Sequence, residues 1–215
     1  MKKMFILSLF VCVLLCGCTP IEELSIDDII NNSTTRTMEV YNTYRKGYKY
    51  NLPAGLDTVD NSEYNEVIAS SKYRYYLYID AVSYHNKVIE KYDVSDKAYV
   101  SRAIDYVDKY GYLEINKLKD NKYLIEIMYN YAKIEVIVNG EDIKVVISNA
   151  LNILTSVKFN DKILDYLLNE EVANFKEYEF DIFETVTTME SDYLEAVEND
   201  IYEEDEGVHD SDLIN

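Results

Sequence analysis

From Gly111 to Val138 the chain repeats in twos, and this repeat limits the possible folds more than any other feature. Tyr112–Lys117 and Lys122–Tyr129 read as the arms of a hairpin around Lys119-Asp120-Asn121, because turn-forming polar residues separate two alternating runs. In the second arm Tyr123, Ile125, Ile127 and Tyr129 share a face. After Asn130 the apolar set becomes Ile134, Val136 and Val138. A period of two cannot change phase without an extra residue or a turn. Either a bulge sits at Tyr131-Ala132, or the chain turns there into another antiparallel strand; the turn is the preferred reading. Such strands leave an apolar face to cover, and the next segment can cover it. Ile143, Val146, Ile147, Ala150, Leu151, Leu154 and Val157 recur at helical spacing, with Glu141 and Asp142 at the start, where the helix dipole favours acids. The expected class is α+β, a mostly antiparallel sheet covered by helices.

The other segments carry weaker signals. Thr19–Ile30 reads as a tether ending in a helical turn, with Ser25 and Asp28 spaced as a capping box. Asn31–Thr35 reads as loop, and Thr37–Tyr44 as strand or helix. Gly47–Pro53 reads as a short strand that a proline ends before a loop at Ala54-Gly55. Ser62–Ile68 suggests one or two helical turns. Tyr73–Tyr84 is mostly apolar on both faces, which suggests a central strand covered on both sides. In Ala98–Tyr110, Tyr99, Val100, Ala103, Ile104 and Val107 fit a helix that Gly111 would terminate. Asn160 can cap a helix over Asp161–Asn169, with Ile163, Leu164, Leu167 and Leu168 on one side. Tyr178–Phe183 is a candidate strand, and Thr187 with Glu190 a candidate capping box for a helix to about Asn199.

The N-terminus places the chain in the cell. Lys2 and Lys3 precede an apolar run from Met4 to Leu15, the pattern of a secretory signal peptide. The run is too short for a membrane-spanning helix, which takes ~20 residues. Its ending, Leu15-Cys16-Gly17-Cys18, resembles the lipobox of bacterial lipoproteins. That resemblance implies that Leu15, Cys16 and Gly17 are signal-peptidase recognition residues. It also implies that Cys18 carries a diacylglyceryl group at the mature N-terminus, as a covalent lipid rather than a cofactor. The expected organisation is a signal peptide over 1–17, a lipidated tether over 18–35, one α+β domain over 36–200 and an acidic, disordered tail over 201–215. The expected location is the extracytoplasmic face of the membrane, the outer leaflet of the plasma membrane in a Gram-positive cell.

Charge and cysteine usage exclude some functions. The formal charge is −19, or −21 once Lys2 and Lys3 leave with the signal. Such a surface repels phosphates, so nucleic acid is not an expected partner. It also repels anionic lipid heads, so the lipid has to supply the membrane affinity. The three cysteines are Cys12, Cys16 and Cys18, so the mature domain has no disulfide pair, thiolate zinc site or cysteine nucleophile. Tyr is abundant, 22 against 6 Phe and no Trp. A sugar- or peptide-binding surface would use it; AT-rich codon usage together with core packing explains it as well.

Gly47–Pro53 is similar to the early strand ending in Pro, and Ile153-Leu154-Thr155-Ser156-Val157-Lys158-Phe159 to the closing helix, of a family of α/β/α sandwiches. That family contains the extrinsic lumenal proteins of the oxygen-evolving photosystem and many bacterial lipoproteins. The resemblance implies an α/β/α sandwich as the more specific form of the fold, and no particular reaction. The family ends near the second segment, whereas this chain continues some fifty residues further.

No catalytic constellation stands out. His85 and His209 are the only histidines, and the Asp80, Ser83, Tyr84, His85 cluster on a strand has no triad spacing. Pairs such as Asp105/Asp108 and Glu177/Glu179 occur by abundance. A glycosidase needs two carboxyls about 5 or 6.5–9.5 Å apart, and no such pair is singled out. Glu203-Glu204-Asp205-Glu206-Gly207 with Asp210 and Asp212 lacks the ligand spacing of an EF-hand, and no metal is expected. The expected function is a non-enzymatic, lipid-anchored module that binds a protein or glycan or supports envelope assembly. The alternative is a carboxylate-dependent hydrolase of envelope glycans. Mass spectrometry of the protein from its native membranes is expected to find an N-terminal peptide starting at Cys18 and heavier by a diacylglyceryl group. An unmodified Cys18, or another mature N-terminus, would overturn the lipoprotein reading.

Overall fold

The structure, a computed structural model, describes residues 20–36 and 39–171. Leu15 to Cys18, the strand expected over Tyr178–Phe183, the helix expected from Thr187 and the acidic tail lie outside the described residues. The fold is α+β, with a seven-stranded and a three-stranded antiparallel sheet.

Helix α1 spans Ile26–Thr35. Its cap is the expected one: the Asp28 N–H donates to Ser25 Oγ at 3.1 Å, and the Ser25 N–H donates to Asp28 Oδ2 at 3.2 Å. This corrects both the tether reading up to residue 35 and the loop reading of Asn31–Thr35. The helix continues because the Thr34 and Thr35 hydroxyls bond back to the carbonyls of Ile30 and Asn31. Ile29 and Ile30 meanwhile bury in the core. The domain therefore takes in residues assigned to the tether.

A short hairpin follows, β1 (Thr43–Arg45) and β2 (Tyr48–Tyr50), the latter inside the expected Gly47–Pro53 strand. Residues 62–68 are not helical. β3 (Asp57–Ser62) and β4 (Asn65–Ala69) form a hairpin that turns at Glu63, whose φ is 45°. β3 is a polar edge strand, so its residues show no apolar period to read. β5 (Arg74–Ile79) is shorter than expected and is not covered on both faces. Tyr75, Leu77 and Ile79 are buried, while Tyr78 is 39% exposed. Asp80 then caps a short helix, α2 (Ala81–Asn86), through a 2.8 Å hydrogen bond from the Ser83 N–H.

The helix expected over Ala98–Tyr110 is absent. Its place is taken by β6 (Val100–Tyr106), a turn and the start of β7 (Lys109–Lys117). Val100 and Ile104, four residues apart, share a face in a helix and in a strand alike, so their spacing could not decide. The turn residue Val107 has φ 60°, unusual for a β-branched residue and not suggested by composition. Gly111 is no helix terminator. It lies inside β7, where an added Cβ would stand 1.9 Å from the Met128 carbonyl oxygen, so the close approach of the next strand requires glycine.

β8 (Lys122–Tyr129) and β9 (Ala132–Asn139) complete the large sheet. The phase change after Asn130 is a two-residue turn, with Asn130 at φ 52° and Tyr131 at φ 64° and Tyr129 paired with Ala132. Helix α3 (Ile143–Ser156), the two-residue strand β10 (Lys158–Phe159) and helix α4 (Asp161–Glu171) follow. Asn160 Oδ1 accepts from the Ile163 N–H at 3.3 Å, as its capping role requires. Leu164, Leu167 and Leu168 are buried, but Ile163 is exposed.

The large sheet runs β3-β4-β5-β9-β8-β7-β6, and the small one β1-β2-β10. Of the two segments that resemble the sandwich family, the first contains β2, and the second is the last turn of α3 followed by β10, which pairs with β2. α3 packs over β8 and β9 and also meets α1 and β2. Together they cover one face of the large sheet, where Leu113, Ile125, Ile127 and Ile134 are all at 0% exposure. α2 and α4 pack on each other through Ala81, Leu164 and Leu168. Among the described residues no helix is long and apolar enough to cross a membrane. Leu154 lies in α3 at 0% exposure. Leu154→Ala is expected to lower stability by ~2–5 kcal/mol in urea unfolding; a loss under about half a kcal/mol would mean that α3 does not cover the sheet.

Candidate functional site

The strand pleat sends alternate residues away from α3, and pairing lines these up on the opposite face. Ser101 pairs with Glu114, Glu114 with Glu126, Glu126 with Glu135, and Glu135 with Tyr76. Three glutamates therefore sit on three neighbouring strands in one row. Directly opposed residues in such a sheet are ~4.5–5.5 Å apart at Cα, where like charges repel.

Side-chain donors offset part of that repulsion. Tyr112, on β7, donates to Glu126. Tyr92, from the irregular segment between α2 and β6, donates to Glu114, and its hydroxyl lies 2.7 Å from Ser101 Oγ. The Tyr92 ring stacks on Tyr112 at 4.3 Å between centroids and 10° between planes. Asn116 Nδ2 donates to Glu114 Oε1 at 2.8 Å. Lys133 Nζ lies 2.8 Å from Glu135 Oε1, close enough for an ion pair, but Oε1 accepts no aligned hydrogen bond. The hydroxyls of Tyr92 and Tyr112 tie three strands, β6, β7 and β8, and a loop into one polar network across the open face.

Electrostatics follow from this placement. Glu135 is 3% exposed, and burial pushes its carboxyl up to about 7. Lys133 pulls it down, while the neighbouring Glu126 adds to the rise. Burial and then Glu126 push the Tyr112 phenol well up, and burial followed by its bond to Glu114 does the same for Tyr92. Both phenols stay protonated as donors at neutral pH. Near pH 7 the Glu135 carboxyl is therefore protonated in part of the molecules.

A second carboxylate is buried on the helix-covered side. Glu66, at 2% exposure, accepts from the Tyr48 hydroxyl at 2.8 Å, the Tyr50 hydroxyl at 2.9 Å and the Arg45 guanidinium at 2.5 Å. All of its partners come from the small sheet, so it cross-links the two sheets and offers nothing to solvent. His85 lies on α2 rather than on a strand, with Nδ1 3.2 Å from Asp165 Oδ1 of α4. Asp80 is used as the cap of that helix. Asp105 lies in β6 and Asp108 in the following turn, while Glu177 and Glu179 are outside the described residues. No group of three or more His, Cys, Asp or Glu able to hold a metal ion occurs among the described residues.

Comparison with known families, with curated proteins and with solved structures finds no match.

Sequence reasoning did not single out Glu114, Glu126 or Glu135. A partial signal existed. Once Asn130-Tyr131 is a two-residue turn, residue numbers of paired partners sum to a constant, and Glu126 must face Glu135.

The pH dependence has a definite sign. The folded carboxyl of Glu135 binds its proton more tightly than the ordinary value of 4.5. Its contribution to stability is therefore present at low pH and is lost as pH rises towards about 7. Glu135→Gln cannot ionise, so its urea midpoint relative to wild type is expected to be higher at about pH 8 than at about pH 5. A difference that does not change with pH would show that Glu135 titrates normally.

Proposed function

We propose that the protein is a lipid-anchored extracytoplasmic module that binds a partner on the open face of its seven-stranded sheet. The anchor rests on Leu15-Cys16-Gly17-Cys18. The binding role rests on one observation: a face carrying Tyr92, Tyr112 and the glutamate row, with the covering helix on the other side. Half-buried Leu124, Met128 and Ile137 sit among these polar groups, a mixture of apolar area and placed hydrogen-bonding groups suited to recognition.

The raised Glu135 next to Glu126 favours a second reading, a carboxylate-dependent hydrolase of envelope glycans. Against it, Glu126 lies within hydrogen-bonding reach of Glu135. A glycosidase holds its two carboxyls about 5 Å or more apart, so that the sugar or a water fits between them.

The test is a photo-crosslinking amino acid at Met128, on the open face, compared with one at Lys162 on exposed α4. In native membranes a discrete adduct is expected from Met128 and not from Lys162. Equal labelling from both positions, or none from Met128, would count against a binding face.

A further inference from the structure

Resting on the lipid-anchor reading, we infer that the domain stands on the membrane on one end of its large sheet, where the turns before β5, between β7 and β8 and after β9 meet the lipid headgroups.

The inference starts from where the chain leaves the anchor. Ile21–Glu23 is a single 3-10 turn. Ile21 and Leu24 pack against the core, and Lys144 Nζ, in the first turn of α3, donates to the Glu22 carbonyl at 2.8 Å. The chain is therefore fixed to the domain from Ile21 onward. From Cys18 to Ile21 is three residue steps, a reach of at most ~11 Å. A lipidated Cys18 cannot lie farther than that from the start of α3.

The start of α3 lies at one end of the large sheet. Lys122 pairs with Asn139, Lys117 with Tyr123 and Ala69 with Arg74, so β5 and β8 begin where β7 and β9 finish. Hydrogen bonds tie the turns at this end together. The Gly140 N–H donates to the Asn121 carbonyl at 3.1 Å. The Tyr73 hydroxyl and Lys72 Nζ donate to Asp142 Oδ2 at 2.7 and 3.2 Å. The opposite end, with the turns at Val107-Asp108 and Asn130-Tyr131, is the length of an eight-residue strand away, ~25 Å. The anchor does not reach it.

Two orientations fit this entry point: the sheet end on the membrane, or the helix layer flat on it. The open face is excluded, because the entry point lies with α3 on the other side. Side-chain chemistry favours the end. Lys72, with 63% of its side chain exposed, and the exposed Lys117 and Lys119 carry their charge on long apolar stems that reach headgroups. The ring of Tyr99, 58% exposed, lies 5.0 Å from that of Tyr123 at the same end, and tyrosine suits the boundary between water and hydrocarbon. Asp57, Asp120, Glu141 and Asp142 share this end with Lys72, Lys117, Lys119 and Lys122, so its charge nearly balances in a chain of net charge −19. The helix layer is less suited. α1 exposes Asp27 and Asp28 and contains no Lys or Arg, and Glu22 and Glu23 precede it, so this side opposes anionic heads. With the sheet end down, the open face stands upright on the membrane and a partner reaches it from the side.

The test uses the lipidated protein in vesicles of phosphatidylcholine and phosphatidylglycerol whose headgroups carry a spin label, a short-range quencher of fluorescence. After residue 17 the sequence has no cysteine but Cys18, so a cysteine added elsewhere takes a thiol-reactive fluorophore at one position. Three exposed positions are compared: Lys119→Cys at the proposed contact, Asp108→Cys at the opposite end and Asn32→Cys on α1. The inference expects a loss of fluorescence at Lys119→Cys, a smaller loss at Asn32→Cys and none at Asp108→Cys. A loss at Asn32→Cys equal to or above that at Lys119→Cys would overturn it in favour of the helix layer. Equal losses at all three positions would overturn it by showing that the domain takes no fixed orientation. Failure of the anchor reading looks different: wild type would then take up the fluorophore at Cys18 and would not sediment with the vesicles, and both readings would fall. Sedimentation with the vesicles without preferential quenching at Lys119→Cys would keep the anchor and remove the orientation.

Discussion

A strand sends successive side chains to opposite faces, and in β7, β8 and β9 this rule separates two chemistries. One face collects Leu113, Ile115, Ile125, Ile127, Ile134 and Val136, all at 0–1% exposure. The other collects Tyr112, Glu114, Glu126 and Glu135. A slip of one residue in either pairing would exchange the two sets and send carboxylates under α3. The turns at Asp120-Asn121 and Asn130-Tyr131, all four residues at positive φ, prevent that slip. The core and the candidate site are therefore two outcomes of one register.

The two buried carboxylates show how environment separates structural from functional roles. Glu66 is surrounded by Arg45, Tyr48 and Tyr50, so its charge is met within hydrogen-bonding distance. Removing one member of such a set leaves a buried charge uncompensated, at a cost of about 3–5 kcal/mol. It serves to hold the small sheet against the large one. Glu135 has one cation and a second acid beside it, and burial pushes its carboxyl up. An arrangement that costs stability and faces away from the helices is a sounder place to look for function.

The N-terminal helix changes the picture of how the domain is presented. The capping box at Ser25 was readable, but a cap says where a helix starts and not whether it packs. Ile29 and Ile30 bury beside α3, and the Arg102 guanidinium on β6 reaches Asp27 at 2.9 Å. Under the lipid-anchor proposal only a few residues after Cys18 remain as spacer, which would hold the domain close to the membrane.

Where local pattern and long-range demand agreed, the chain could be read directly. The strands of 112–138, the turn after Asn130 and the helix of 143–156 follow from a repeat and its phase, and so did the α+β class. Where one pattern served two structures, only packing decided. Val100 and Ile104 suited a helix, yet β6 forms because β7 offers it a full ladder of partners. Asn31–Thr35 looked like loop, yet it is helical because Ile29 and Ile30 found a core to enter. The glutamate row is of the second kind. Each of its acids was visible as one polar residue in an alternating strand, and twelve and nine positions separate neighbours along the chain. Only pairing across strands makes them adjacent, because contact between distant residues is a property of register and cannot be read from any single local repeat.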